Sequence, residues 1–84
     1  MIMEPIRILL VEDQTLMRQG LKTILSLEPG LDVVGEAADG ETGIRQALDL
    51  RPDIILMDVQ MPGMSGIEAI AAICAVWPEA RIII

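Results

Sequence analysis

Two short, largely apolar segments that each end in acidic residues constrain the fold of this chain most strongly. Ile6–Val11 precedes Glu12 and Asp13, and Ile54–Met57 precedes Asp58. Short runs rich in β-branched residues are typical of strands that are buried on both faces of a parallel sheet. The carboxyl ends of such strands meet at one edge of an open α/β sheet, where ligands bind. We therefore expect these carboxylates to face a common crevice.

Strand-like and helix-like patterns alternate along the rest of the chain. Helices are indicated where apolar residues recur near 3.6-residue spacing, and capping residues, Pro and Gly mark their ends. Asp39 is a predicted N-cap, and Ser65 with Glu68 forms a predicted capping box. The predicted elements are strands over 6–11, 32–37, 53–57 and 81–84, helices over 15–27 and 40–50, and a third helix from the capping box at Ser65 to Pro78. In the first helix the apolar residues near this spacing are Leu16, Met17, Leu21, Ile24 and Leu25. The predicted inward residues are Ile44, Ala47 and Leu48 in the second helix, and the face of the third that carries Ile67, Ile70, Ala71 and Cys74.

The order of these elements predicts an α/β domain in which right-handed crossovers join parallel strands. The strand over 32–37 is more polar than the others, so we expect it at an edge of the sheet. The chain ends in a buried-strand sequence, Ile82–Ile84, and a free strand edge is a template for pairing. We therefore interpret residues 1–84 as the truncated N-terminal part of a larger domain, with no second domain present.

Charge and composition exclude several classes of function. The 84 residues carry a net charge of −7, which argues against direct nucleic-acid binding and suits a divalent cation or a basic partner surface. Cys74 is the only cysteine, so an internal disulfide is excluded and a reducing compartment is expected. We recognise no signal peptide and no membrane span, and we expect a cytoplasmic protein.

The carboxylates of Glu12, Asp13 and Asp58 have a structural and a functional explanation. A strand-terminal aspartate commonly caps the turn that follows it. However, carboxylates about 5 Å apart repel by roughly 3 kcal/mol per pair at an effective dielectric near 20, and no residue nearby in sequence is basic enough to neutralise them. Mg²⁺, which accepts a few carboxylates and several waters, would relieve this repulsion. An aspartate beside such an ion is also a potential nucleophile toward phosphorus.

Four segments of the chain resemble the receiver domain of two-component response regulators, most closely those of transcription factors with a LuxR/NarL-type helix-turn-helix domain downstream. The segments are Ile8–Asp13, Val33–Gly40, Pro52–Asp58 and Met61–Gly66, and they are spread over most of the length of the chain. The resemblance implies a flavodoxin-like parallel sheet of order 2-1-3-4, which is part of the five-stranded order 2-1-3-4-5. The fifth strand and the last two helices of that fold are not among these 84 residues.

The resemblance also implies roles for individual residues. Asp58 is expected to accept a phosphoryl group from a histidine kinase. Asp13 and Asp58 would bind Mg²⁺ through their carboxylates and Gln60 through its backbone carbonyl, and Glu12 would contact the ion through water. The Gln60 side chain and Val59 would flank the phosphoryl group. In the full-length protein, phosphorylation would control a DNA-binding transcriptional output, so we expect a phosphoacceptor and not an enzyme.

Two residues that the family uses for switching have no counterpart in the chain. They are a Ser or Thr just after the fourth strand and a Lys at the end of the fifth, and both contact the phosphoryl group in the family. Without the last two helices, one face of the sheet would be open to water, so we also expect self-association through that surface. The alternative function is therefore a module that folds and associates, with a metal site but no competent phosphorylation switch.

Two other functions fit the predicted sheet less well. An aspartyl phosphatase needs a second acid two residues after its nucleophile, and Gln60 at that position cannot donate a proton in this way. A flavin- or nucleotide-binding module needs a first loop rich in Gly, Ser or Thr, whereas Glu12 and Asp13 would repel a phosphate. The sequence therefore favours a signalling receiver over both.

Overall fold

The computed structural model describes residues 4–84. They form a parallel sheet with helices on both faces. In chain order its elements are β1 (Ile6–Val11), α1 (Thr15–Ser26), β2 (Leu31–Ala37), α2 (Gly40–Leu50), β3 (Ile54–Met57), α3 (Gly66–Val76) and β4 (Ile82–Ile83). The strands lie in the order β2-β1-β3-β4, and every neighbouring pair is parallel. The predicted order 2-1-3-4 and the predicted edge position of the second strand are both confirmed.

The boundaries of the elements lie close to those predicted, and the limits of β1 and α2 agree fully. The strand β3 begins at Ile54, one residue later than predicted. Asp53 belongs to the turn before it, where Oδ2 of its carboxylate accepts the backbone N–H of Arg7 at 2.8 Å. The last strand is shorter than predicted, because only Ile82 and Ile83 pair with β3.

The main core lies between the sheet and the helices α2 and α3. Because β2 and β3 lie on opposite sides of β1, right-handed crossovers place α1 on one face of the sheet and α2 on the other. Side chains alternate between the two faces along each strand, so every second residue of β1 and β3 enters this core. The buried residues of the core are Leu9, Val11, Ala37, Ala47, Ile55, Met57, Met61, Ala69 and Ile73.

The apolar residues at helical spacing in α1 are mostly exposed. Leu16, Met17 and Ile24 are 79%, 50% and 62% exposed, and no residue of the helix is fully buried. Of the five apolar residues at helical spacing, only Leu21 and Leu25 are half-buried. The helix packs on β1 and β2, so its apolar stripe is wider than the sheet surface that it covers.

The predicted inward face of α3 is partly wrong. Ile67 is 65% exposed and Ala71 is exposed, whereas Ile73 is fully buried. Ile70 packs against the core as predicted, and the free thiol of Cys74 is only half-buried. Because most residues of α3 are apolar, the periodicity of its sequence cannot select a face, and packing against the sheet decides the orientation.

Candidate functional site

The acidic residues after β1 and β3 meet because the two strands end side by side. Val11 and Met57, the last residues of the strands, are register partners. The backbone N–H of Asp58 donates to the carbonyl of Val11 at 3.0 Å, so the pairing continues one residue into the turn. One carboxylate oxygen from each of Glu12, Asp13 and Asp58 lies within 4.8 Å of the other two. The predicted acidic cluster is therefore present at the carboxyl edge of the sheet.

Glu12 is the most buried member of this cluster, at 9% exposure. Burial raises the pKa of its carboxyl above the ordinary value, and the neighbouring side chains of Asp58 and Asp13 raise that pKa further. The backbone N–H of Gln14, 3.5 Å from Glu12 Oε2, acts in the opposite direction. Both effects that raise the pKa reflect the cost of holding negative charge here without a cation.

Asp13 supplies the observation that best tests whether the site fits a metal ion. Its Oδ1 atom is buried and accepts no hydrogen bond from the described residues. A buried carboxylate oxygen without a donor is costly, and the nearby carboxylates of Glu12 and Asp58 add repulsion instead of relieving it. Three converging carboxylates are a donor set for a hard divalent cation such as Mg²⁺. The residues present therefore fit that ion.

Asp58 also has the structural role expected of an aspartate that follows a strand. Its Oδ1 accepts the backbone N–H of Gln60 at 3.0 Å, so the side chain caps the turn that follows β3. Its other carboxylate oxygen, Oδ2, is not used by this turn. The two explanations are thus compatible, because one oxygen holds the loop and the other remains available for an incoming group.

The loop after Asp58 is held tightly against the start of α3. The N–H of Gly66 donates to the carbonyl of Val59 at 2.9 Å. A Cβ atom at Gly66 would lie 2.6 Å from both the Asp58 carbonyl oxygen and the Val59 Cα, so this contact requires glycine. Ser65 caps the helix by accepting the N–H of Glu68 at 3.2 Å, as its sequence pattern predicts.

Val59 and Gln60, the predicted neighbours of a phosphoryl group, follow Asp58 directly along this loop. The Val59 side chain is half-buried and that of Gln60 is exposed. Their roles beside the phosphoryl group, and the role of the Gln60 carbonyl as a metal ligand, stay predictions.

Arg18 is the residue of this region that the sequence did not single out. Its Nη1 donates to the backbone carbonyl of Glu12 at 2.7 Å, and its Nε lies 3.5 Å from Glu36 Oε1. Lys22 pairs with the other oxygen of Glu36 at 2.7 Å. Over residues 4–84, no salt bridge joins a cation to the three clustered carboxylates. A signal was present in the sequence, since Arg18 and Lys22 are four residues apart on the helix that follows the acidic turn.

The amino-acid sequence matches a known protein family. The model of the response regulator receiver domain matches residues 8–84, which is nearly the whole chain. The chain belongs to the response regulator receiver family. The resemblance inferred from the four segments and the flavodoxin-like fold are thereby confirmed.

Curated relatives of this receiver include two transcriptional regulators. It is 47% identical over 79 residues to the transcriptional regulatory protein LiaR of Bacillus subtilis, covering 94% of this chain and 37% of that protein. It is 49% identical over 67 residues to the nitrate/nitrite response regulator protein NarL of Escherichia coli K12, covering 80% of this chain and 31% of that protein. The chain thus spans about a third of the length of these relatives.

Solved receiver structures have the same fold. The response regulator domain of Thermotoga maritima CheB superposes with a TM-score of 0.89 at 40% identity, covering 94% of this chain and 58% of that one. The receiver domain of NarL from Mycobacterium tuberculosis gives 0.88 at 35% identity, covering 94% and 64%. The receiver described here therefore corresponds to about three fifths of those chains.

Proposed function

We propose that this receiver accepts a phosphoryl group from a histidine kinase onto Asp58, with Mg²⁺ bound beside it. The observation that carries the proposal is the convergence of three carboxylates around the buried, partnerless Oδ1 of Asp13. The carboxylates of such a site repel one another, so the site is suited to a divalent cation and to the phosphoryl oxygens that a cation attracts.

The nucleophile in this proposal is Oδ2 of Asp58. Oδ1 is held by the N–H of Gln60, which orients the carboxylate and leaves Oδ2 to attack phosphorus. A bond forms between Oδ2 and phosphorus while the bond from phosphorus to the imidazole nitrogen of the kinase breaks, so the product is an acyl phosphate on Asp58.

The metal ligands in the proposal are the carboxylates of Asp13 and Asp58 and the backbone carbonyl of Gln60, with Glu12 acting through water. Bound there, Mg²⁺ supplies positive charge that screens the phosphoryl oxygens from the carboxylates. Burial raises the pKa of the Glu12 carboxyl, and a cation bound nearby would offset the cost of its negative charge. Val59 and the exposed Gln60 side chain would flank the phosphoryl group and set the access of water to it.

A solved relative supports the pairing of Mg²⁺ with a phosphoryl group. The CheX–CheY–BeF3–Mg²⁺ complex from Borrelia burgdorferi contains a chain that matches this receiver with a TM-score of 0.88 at 30% identity, covering 94% of this chain and 60% of that one. In this chain the carboxylates of Glu12, Asp13 and Asp58 are clustered closely enough to hold such an ion.

The proposed output is transcriptional, and the proposed compartment is the cytoplasm. The regulators LiaR and NarL, both nearly half identical to this chain, support control of a DNA-binding domain in a longer protein. None of the helices within residues 4–84 combines the length and the apolar character that a membrane span requires. The net charge of −7 makes this chain itself a poor nucleic-acid binder. We therefore assign it the role of phosphoacceptor, with any enzymatic turnover limited to its own phosphorylation and dephosphorylation.

Beryllofluoride, which imitates a phosphoryl group, tests this assignment. We expect ¹⁹F NMR to detect a bound BeF3 species when Mg²⁺, beryllium and fluoride are added to the chain. Asp58→Asn removes the attacking oxygen and should abolish that signal. Asp49→Asn, which removes the same charge from an exposed position of α2, should retain it. A bound signal that survives in Asp58→Asn would contradict the proposal.

An association role is the second candidate, because one surface of the described chain is apolar and open. We define the apolar face as the α1 side chains of Leu16, Met17, Leu21 and Ile24 together with Leu56, Ile83 and Ile84. Five of these seven side chains are at least half exposed. Exposed apolar surface of this kind favours association, so we propose that the 84-residue chain pairs with itself through the apolar face.

Sedimentation over a range of concentrations tests the association. We expect the wild-type chain to dimerise and Ile24→Glu to shift it toward monomer. Ile67→Glu is the matched control, since Ile67 has nearly the same exposure, 65% against 62%, but lies on α3. A wild-type chain that remains monomeric at high concentration would overturn this second proposal.

A further inference from the structure

One arginine connects the acidic site to the neighbouring strand. The guanidinium of Arg18 lies between the turn after β1 and the end of β2, where it contacts the Glu12 carbonyl at 2.7 Å and Glu36 Oε1 at 3.5 Å. The Arg18 side chain is only 17% exposed, so the guanidinium is largely shielded from water. Lys22 occupies the second oxygen of Glu36. These contacts give Arg18 one position instead of the many that a surface arginine samples.

We propose that Arg18 is a positioning residue for the Mg²⁺ site, acting through the backbone carbonyl of Glu12. This inference rests on the proposed function. The carbonyl of Glu12 and the N–H of Asp13 belong to the same planar peptide group, so fixing one fixes the other. The hydrogen bond from Arg18 therefore sets the direction in which Asp13 leaves the turn, and with it the direction of its buried carboxylate.

Glu36 has a complementary task. One of its carboxylate oxygens lies 3.5 Å from Nε of Arg18, and the other pairs with Lys22 at 2.7 Å. Two cations near the metal site are thus paired with a carboxylate that is not part of it. Without Glu36, Arg18 would be free to turn toward the carboxylates of Glu12, Asp13 and Asp58 and compete with a metal ion for them.

A purely electrostatic role and a positioning role for Arg18 predict opposite changes in Mg²⁺ affinity when this side chain is replaced. A positive charge beside a cation site repels the cation, so removal of the charge alone should tighten Mg²⁺ binding. Removal of a positioning contact should weaken it, since residues that orient metal ligands typically contribute tenfold or more to affinity. The sign of the change therefore separates the two roles.

The experiment is a calorimetric titration of the 84-residue chain with Mg²⁺. We expect Arg18→Met to bind Mg²⁺ about tenfold more weakly than the wild type. Arg18→Lys should recover part of the loss, because an ammonium group can reach the carbonyl but cannot span both partners as the planar guanidinium does. Arg81→Met, which removes an exposed arginine just before β4, at the opposite end of the sheet, should leave the affinity unchanged.

The backbone amide signals of Asp13 and Gln14 in ¹⁵N NMR provide a second readout that does not depend on the metal. In Arg18→Met these signals should move before any Mg²⁺ is added, and in Arg81→Met they should not. Circular dichroism establishes that each variant is folded; if Arg18→Met is not, the comparison rests on Arg18→Lys and on Glu36→Gln, which should also weaken binding.

The possible outcomes distinguish a failure of the Arg18 proposal from a failure of the proposed phosphoacceptor function. Weaker binding together with shifted amide signals supports it. Unchanged or tighter binding by Arg18→Met, with a wild type that does bind Mg²⁺, overturns the inference and leaves the phosphoacceptor function in place. A wild type that binds no Mg²⁺ overturns both.

Discussion

The backbone N–H of Asp58 donates to the carbonyl of Val11 across a distance of 3.0 Å, and this bond joins the ends of the two central strands. Asp58 therefore begins its turn directly beside the residues that follow Val11, which are Glu12 and Asp13. The acidic site is thus a consequence of strand register, because a shift of one residue would move Asp58 away from the cluster and reverse the faces of β3.

The contact between Gly66 and the loop after Asp58 predicts that this glycine cannot be replaced. Gly66→Ala would place a methyl group 2.6 Å from the Asp58 carbonyl oxygen, and we expect a loss of about 1–3 kcal/mol in the free energy of unfolding. Gly20→Ala is the control, since nothing lies within 4 Å of a Cβ at that position of α1. It should stabilise the chain by about 1 kcal/mol, because alanine favours a helix interior. Equal stabilities of the two variants in urea unfolding would be incompatible with this packing.

The partnerless Oδ1 of Asp13 predicts opposite effects of one substitution on stability and on metal binding. Asp13→Asn removes a charge from the cluster, so the metal-free chain should melt at a higher temperature than the wild type. The same change removes a ligand and should weaken Mg²⁺ binding by at least about tenfold. Melting curves with and without Mg²⁺ measure both quantities. Asp49→Asn should change neither, and an Asp13→Asn variant that Mg²⁺ stabilises as much as the wild type would exclude Asp13 as a ligand.

The raised pKa of Glu12 predicts how the site affects stability as pH changes. Burial raises the folded-state pKa of this carboxyl above its unfolded value of about 4.5, so the folded chain binds more protons in the interval between the two pKa values. The favourable contribution of Glu12 is therefore fully present below pH 4.5 and is lost as the pH rises through the folded pKa.

Glu12→Gln isolates this contribution from the other carboxylates. In the presence of a chelator, the melting temperature of the wild type should fall relative to that of Glu12→Gln as the pH rises from 4.5 toward neutrality. Mg²⁺ should reduce the difference at neutral pH, because the ion binds the deprotonated site and stabilises the folded state. Parallel pH profiles for the two proteins would contradict the assigned shift.

The sequence predicts those parts of the fold whose signals are local. Asp39 and Ser65 cap their helices as expected, since a cap depends only on the residues of the first helical turn. The position of Asp58 follows from the strand before it. The orientation of α3 could not be predicted, because its residues are apolar on all sides and the exposure of Ile67 is decided by packing.

The site itself was predictable in its acids but not in its supporting contacts. Glu12 and Asp13 follow one recognisable strand and Asp58 follows another, and parallel topology brings the strand ends together. The contacts of Arg18 depend on where α1 lies relative to the ends of β1 and β2, which no local pattern encodes. The same tertiary information determines which α1 side chains remain on the apolar face.

The transfer of a phosphoryl group to Asp58 is tested most directly by intact mass after incubation of the chain with Mg²⁺ and a small acyl-phosphate donor. The account predicts a gain of one phosphoryl group in the wild type and in Asp49→Asn, no gain in Asp58→Asn, and no gain in the wild type when a chelator replaces Mg²⁺. A phosphoryl group that Asp58→Asn acquires as readily as the wild type, or that no condition adds to the wild type, would contradict it.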